Sequence, residues 1–88
     1  MNIYKWNSFK KRILELDKDI FSSDTYLAIT LAPNRSIWFN AKHEVYMSCG
    51  SGELFSRVTI LENVSYNSMY IIAKTLIKEK NNEQNKNN

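Results

Sequence analysis

The feature that most constrains this chain is a long alternation of apolar and polar residues from Ser36 to Cys49, reading S-I-W-F-N-A-K-H-E-V-Y-M-S-C. Side chains alternate between the two faces of a β-sheet, so a period of two residues predicts extended structure. Apart from His43, one parity is apolar: Ile37, Phe39, Ala41, Val45, Met47 and Cys49. The other parity is polar or aromatic: Trp38, Asn40, Lys42, Glu44, Tyr46 and Ser48. The pattern therefore predicts a core-facing side and a second side that presents two large rings.

The stretch is too long for an ordinary strand. At about 3.3 Å per residue it would exceed about 40 Å, whereas strands usually have about 5 or 6 residues. Either it is one strongly bent strand, or a tight turn at Asn40 to His43 divides it into two. The unbroken parity favours one strand that bends at His43, because a turn need not preserve the alternation.

Shorter alternations flank this stretch. Thr25 to Leu31 predicts a half-buried strand, and Ala32 to Arg35 predicts a turn because Pro33 has a fixed φ and Asn tolerates unusual φ values. Gly50 to Gly52 predicts a second turn. Glu53 to Leu61 then predicts a further strand, with Val58 and Ile60 facing the helices and a bulge near Ser56.

Apolar residues at helical spacing occur near both ends of the chain. A helix is predicted over Tyr4 to Ile20, where the apolar residues recur at intervals of three and four: Trp6, Phe9, Ile13, Leu16 and Ile20. Phe21 to Asp24 is predicted to be a loop. A second helix is predicted from Asn67 or Ser68 to Lys80, with Ser65 or Asn67 as its N-cap.

The order of these elements predicts a single α+β domain over residues 1–80. Sequence-adjacent strands joined by short turns form an antiparallel meander, here of three or four strands. Both helices must bury their apolar stripes on the apolar face of that sheet. Residues 81–88 include no apolar residue and are predicted to be disordered.

The composition argues against catalysis and metal binding. The chain has one Cys and one His, so neither an intramolecular disulfide nor a Cys-rich metal site can form. We expect no enzyme activity, no cofactor and no metal. A cytoplasmic location is expected, because no signal peptide and no membrane-spanning run is visible. The net charge of +3 is compatible with polyanions without requiring one.

The non-core face of the predicted sheet is the candidate site. It collects Thr59 together with the aromatic, basic and amide side chains that form the predicted site: Tyr26, Trp38, Asn40, Lys42, Tyr46 and Arg57. Aromatic residues and Arg are enriched at protein-binding hot spots, and the same mixture can stack bases and contact phosphates. Two alternatives stay open: the rings pack across strands only to stabilise the sheet, or the face is buried in a homodimer.

The order helix, three strands, helix resembles that of the double-stranded-RNA-binding domain. Only Ala73-Lys74 matches the basic cluster with which that family begins its second helix, so the resemblance implies the topology without the family's phosphate-binding residues. The overall character of the chain, which is Asn/Lys-rich, without catalytic groups and with an aromatic, charged face, also resembles small bacteriophage accessory and anti-defence proteins, including anti-CRISPR proteins.

The second resemblance implies a non-enzymatic module that inhibits or modulates a host or defence protein. We expect Trp38 and Tyr46 to be its anchors, with Arg57 and Lys42 contributing polar selectivity. The alternative is a nucleic-acid-binding module that uses the same face.

Overall fold

The computed structural model describes the backbone of residues 3–86 and the side chains of residues 3–82. It confirms the predicted α+β fold, with five strands in place of three or four. The elements are α1 (Ile3–Leu16), β1 (Phe21–Ser22), β2 (Tyr26–Ala32), β3 (Arg35–Asn40), β4 (Val45–Cys49), a 3₁₀ turn (Gly52–Leu54), β5 (Ser56–Leu61) and α2 (Tyr66–Lys86). The strands form one antiparallel meander in the order β1-β2-β3-β4-β5.

Both helices pack on the same face of the sheet, as predicted. The apolar stripe of α1 buries Trp6, Phe9 and Ile13, and α2 contributes Met69, Ala73 and Ile77 to the same cluster. The sheet contributes Leu27, Ile29, Ile37, Phe39 and Val45. Fully burying a large apolar side chain stabilises a fold by about 1.5–3 kcal/mol, so this single layer between helices and sheet provides the main driving force for folding.

The stretch from Ser36 to Cys49 is divided between two strands, so the prediction of one bent strand is wrong. The Asn40 backbone N–H donates to the Glu44 carbonyl oxygen (3.2 Å), and His43 has a positive φ of 64° in the tight turn between them. Three residues separate Asn40 from Glu44. Because this number is odd, the parity continues unchanged across the turn, and Ile37 lies opposite Met47.

The first helix ends four residues before its predicted end at Ile20. The Asp17 carboxylate accepts the backbone N–H of Asp19 (3.0 Å), and the Ile20 N–H donates to the Asp17 carbonyl oxygen (3.4 Å), which turns the chain. Ile20 nevertheless reaches the core. The next two residues, predicted to be a loop, form β1 and pair with Leu27 and Ala28 of β2.

The last strand differs most from its prediction. The predicted strand over Glu53 to Leu61 begins with the 3₁₀ turn, and its register shift lies between Thr59 and Leu61 rather than near Ser56. Val58 and Ile60 were expected to face the helices, yet they are 58% and 49% exposed. The reason is geometric: the core cluster draws on β2, β3 and β4 but includes no residue of β5.

Helix α2 begins at the first of the two predicted caps. Ser65 Oγ accepts the backbone N–H of Ser68 (3.1 Å), which is the hydrogen bond of an N-cap. The helix continues past its predicted end at Lys80 as far as Lys86. Residues 81–86 of the predicted disordered tail are thus helical, and residues 87 and 88 lie outside the described part of the chain.

The cap can be tested by comparing its two candidates. We expect Ser65→Ala to lower the free energy of unfolding by about 1 kcal/mol, because a helix N–H loses its acceptor. The matched control is Asn67→Ala, which removes a short polar side chain inside the helix and leaves the cap intact. Urea unfolding followed by circular dichroism measures both variants. Equal losses would contradict the assignment of Ser65 as the cap.

Candidate partner-binding face

The face of the sheet opposite the helices, here called the outer face, carries the predicted site. Its side chains are set by the strand register: Trp38 of β3 lies opposite Ala28 of β2 and opposite Tyr46 of β4. Tyr26 lies opposite Asn40, and Tyr46 lies opposite Thr59 of β5. Because adjacent strands hold these residues side by side, rings that are far apart in sequence become neighbours.

Four rings and one guanidinium form a continuous row across all five strands, here called the aromatic ladder. Ring centroids are 5.7 Å apart for Phe21 and Tyr26, 5.2 Å for Tyr26 and Trp38, and 5.9 Å for Trp38 and Tyr46. The last two rings are nearly parallel, with 5° between their planes. The Arg57 guanidinium carbon lies 5.1 Å from the centroid of the Tyr46 ring, within range of a cation–π contact.

The indole of Trp38 is held in place by a hydrogen bond and by packing against the neighbouring strand. Its Nε1–H donates to Ser48 Oγ (2.8 Å), and Ser48 is buried. Ala28, directly opposite on β2, is also buried, because its small side chain lies among the larger rings of this face. The rings are therefore ordered before any partner arrives, which reduces the entropy that binding would cost.

A cleft of about 440 Å³ opens on the outer face beside the ladder. It is lined by Thr25, Tyr26, Asn40, Ala41, Lys42, Glu44, Tyr46, Arg57 and Thr59. The rings of Tyr26 and Tyr46 form the apolar part of the cleft wall. The polar side chains of the lining can form hydrogen bonds that orient a bound group. A concavity with aromatic walls and a few polar groups is the usual form of a small recognition site.

Asn40 shapes one end of this cleft. Its Oδ1 accepts the backbone N–H groups of Lys42 (2.9 Å) and Glu44 (3.1 Å), while its Nδ2–H donates to the Glu44 carboxylate (2.9 Å). These bonds stabilise the β3–β4 turn and fix the position of the Glu44 carboxylate. Asn40 therefore supports the cleft, and its side-chain amide is already engaged.

The cleft combines charges of both signs. Lys42 and Arg57 are exposed basic residues on its lining, and Glu44 adds a carboxylate between them in the chain. A mixed rim of this kind is better suited to recognition by charge complementarity than to attraction of a polyanion.

The structure brings the predicted site residues together on one surface. Five line the cleft: Tyr26, Asn40, Lys42, Tyr46 and Arg57. The sixth, Trp38, lies in the ladder between Tyr26 and Tyr46 without lining the cleft. The rings do pack across strands, as one of the open alternatives requires, and their partial burial shows that this packing also stabilises the sheet.

Thr59 was expected on this face and lines the cleft, whereas four further residues of this surface were not part of the predicted site: Phe21, Thr25, Glu44 and Ser48. Phe21 lies in a strand of two residues, which is too short to show a periodicity. The alternation placed Glu44 and Ser48 on the correct face, but only the register shows that Glu44 lines the cleft and that Ser48 bonds Trp38.

His43 and Cys49, the two residues with the most reactive side chains, lie apart from the cleft lining. His43 Nδ1–H donates to the Val64 carbonyl oxygen (2.8 Å), and its ring centroid is 4.3 Å from that of Tyr66. Burial raises the pKa of the Tyr66 hydroxyl. His43 thus ties the β3–β4 turn to the start of α2, which is a structural role. Cys49 is partly buried and carries a free thiol.

Within residues 3–82, no three His, Cys, Asp or Glu side chains come together as metal ligands would. In the same part of the chain, neither helix has an apolar stretch of the length that crossing a bilayer requires.

Comparison of the chain with family models, with curated proteins and with solved structures finds no match.

Proposed function

We propose that this chain is a non-enzymatic protein-binding module whose outer face docks on a larger protein. The observation that carries the proposal is the aromatic ladder beside the cleft, on the face that the helices leave uncovered. Trp38 and Tyr46 are the anchors, and Arg57 and Lys42 provide polar selectivity. Aromatic rings and Arg dominate the energy of most protein interfaces, and here they are ordered in advance.

The spacing of the rings favours a protein over a nucleic acid. Insertion of a base between two rings requires roughly 7 Å, twice the spacing of stacked bases. The ladder rings lie 5.2 to 5.9 Å apart and already contact one another. The ladder therefore offers ring edges and a polar rim, which suit a protein surface. The negative charge of the Glu44 carboxylate in the cleft would also repel a phosphate group.

The role of such a module follows from the resemblance to bacteriophage anti-defence proteins. Those proteins act by occupying a functional surface of a host protein. We accordingly propose that binding inhibits or modulates a host or defence protein in the cytoplasm, with no chemical step and no cofactor.

The test is a double substitution of the anchors. After affinity capture from the native host identifies a partner, calorimetry with purified proteins should show binding at least about a hundredfold weaker for Trp38→Ala/Tyr46→Ala, because hot-spot residues each contribute about 2 kcal/mol or more. A second variant, Lys42→Ala/Arg57→Ala, truncates two exposed side chains and should weaken binding without affecting the fold. The control is Thr30→Ala, an exposed outer-face residue of β2 outside the cleft.

Two results would contradict the proposal. One is full affinity in both double variants, with circular dichroism showing that they are folded. The other is a mobility shift with DNA or RNA that disappears as salt increases, because counterion release makes phosphate-dominated binding strongly salt-dependent. We expect no shift at low salt.

A further inference from the structure

Strand β5 forms an open edge of the sheet. Within residues 3–86 it pairs with β4 alone, so the backbone groups on its other side point away from the sheet. The opposite edge is β1, which has two residues, whereas β5 has six. A six-residue edge offers enough backbone donors and acceptors for another strand to add to the sheet.

The side chains of β5 favour such pairing. The strand contains neither Lys nor Pro, the residues that most often prevent association at an edge, and Arg57 is its one charged residue. Three of its side chains are aliphatic and exposed: Val58 (58%), Ile60 (49%) and Leu61 (43%). Leu54 and Phe55, just before the strand, are 84% and 50% exposed. Apolar side chains at this density mark an interaction surface.

We propose that β5 pairs antiparallel with β5 of a second copy of this chain, about a two-fold axis at Thr59. The five strands of each copy then form one sheet of ten. A two-fold axis requires that the strand be complementary to itself when reversed.

The register of β5 against β4 supplies that complementarity. Thr59 lies opposite Tyr46 and Leu61 lies opposite Val45, so the bulge at Ile60 places Leu61 one strand position beyond Thr59. Val58 is one position before Thr59. A reversed copy centred on Thr59 therefore places its Leu61 opposite Val58.

These two residues belong on the same face. Their neighbours on β4, Val45 and Met47, pack in or against the core on the helix-bearing side. Apolar side chains thus meet on that side, and the symmetry repeats the contact.

One position further along, the same register pairs opposite charges. Glu62 follows Leu61 in the bend just past the end of β5, and Arg57 precedes Val58, so this register brings each Arg57 opposite the Glu62 of the other copy. If the two-fold axis passed through any other position of β5, Arg57 and Glu62 would no longer lie opposite each other. An axis at Arg57 would place the two guanidinium groups against each other. This charge complementarity favours a second copy, rather than an unrelated strand, as the occupant of this edge.

The pairing does not depend on the proposed function, since it uses the backbone and aliphatic groups of β5 and the Arg57–Glu62 pair rather than the rings; Arg57 is the one residue that both proposals use. It does extend the surface described above. A two-fold axis perpendicular to the sheet keeps both outer faces on one side, so the two aromatic ladders meet at their Arg57 ends. The dimer would present one outer face twice as long.

Sedimentation equilibrium tests the proposal directly. We expect the wild-type chain to be a dimer, and Val58→Lys to weaken dimerisation on the order of a hundredfold, because a charge at the centre of a strand edge opposes pairing. Val58 is exposed, so the variant should fold, which circular dichroism verifies. The matched control is Ile71→Lys, an equally aliphatic residue on α2 that is 64% exposed and should leave the dimer unchanged.

Charge reversal tests the register. Arg57→Glu and Glu62→Arg should each weaken the dimer roughly tenfold, and the double variant should restore it to within about threefold of wild type. A wild-type chain that stays monomeric at several hundred micromolar would overturn the proposal. It would also be overturned by a dimer that Val58→Lys leaves intact, or by a double variant that fails to recover. A dimer lost only in Trp38→Ala/Tyr46→Ala would assign self-association to the outer face instead.

Discussion

The Trp6→Ala variant is expected to lose about 4 kcal/mol of unfolding free energy, the largest loss of any single substitution considered for this chain. Trp6 is fully buried between α1, α2 and the sheet, with its ring 5.5 Å from that of Phe9 and 6.4 Å from that of Tyr66. Its Nε1–H also donates to the Asp24 carbonyl oxygen (2.7 Å). Truncation leaves a cavity and removes the bond that holds the β1–β2 connection to α1. Small domains are stable by about 5–15 kcal/mol, so the variant should be close to unfolding.

The second Trp of the chain is the matched control. Trp38 is partly buried on the outer face. We expect Trp38→Ala to cost about 2 kcal/mol, since less apolar surface returns to water. Equilibrium urea unfolding of both variants measures the difference. Equal losses would contradict the placement of Trp6 in the core and of Trp38 outside it.

Gly50→Ala is expected to destabilise the protein by about 3 kcal/mol. Gly50 has a φ of +82°, and a Cβ at this position would lie 2.3 Å from the Leu54 carbonyl oxygen. That oxygen belongs to the backbone, so the clash can be relieved only by moving the 3₁₀ turn that leads into β5. The substitution therefore combines an unfavourable backbone conformation with a displaced segment of chain.

Gly52→Ala separates these two effects. Gly52 also has a positive φ, +57°, but a Cβ there would meet nothing within 4 Å. This variant should lose about 1 kcal/mol, the cost of the left-handed conformation alone. Thermal and urea unfolding of the pair give the steric contribution by difference. If Gly52→Ala proved as costly as Gly50→Ala, the close approach to Leu54 would not be the cause.

The helices were the most predictable part of the fold. The spacing of Trp6, Phe9 and Ile13 placed them on one stripe, and all three are buried in the core. The ends of the helices were less predictable. Ile20 fits the spacing of α1, yet the hydrogen bonds around Asp17 end the helix before it and still bring Ile20 into the core. Spacing along the chain does not distinguish a core residue on the helix from a core residue that lies just after the helix has ended in a turn.

The strands show where a periodic pattern is ambiguous. A turn with an odd number of residues preserves the alternation, so the break between Asn40 and Glu44 left no trace in the parity. At β5 the alternation predicted buried Val58 and Ile60, and both are exposed because no core residue lies over this strand. A period of two residues reports which side chains share a face, but it does not report whether anything covers that face.

For the candidate site, the sequence by itself determined which side chains share the outer face, since alternation along each strand is a local property of the backbone. Tyr26, Trp38 and Tyr46 follow from it, together with Arg57. Only the tertiary structure decided the rest. Strand register sets the distances between rings, the β3–β4 turn places Glu44 beside Lys42 in the cleft, and the layer of helices ends before β5. These properties depend on pairing between segments that are distant in sequence, and no local pattern specifies the alignment of one strand against another.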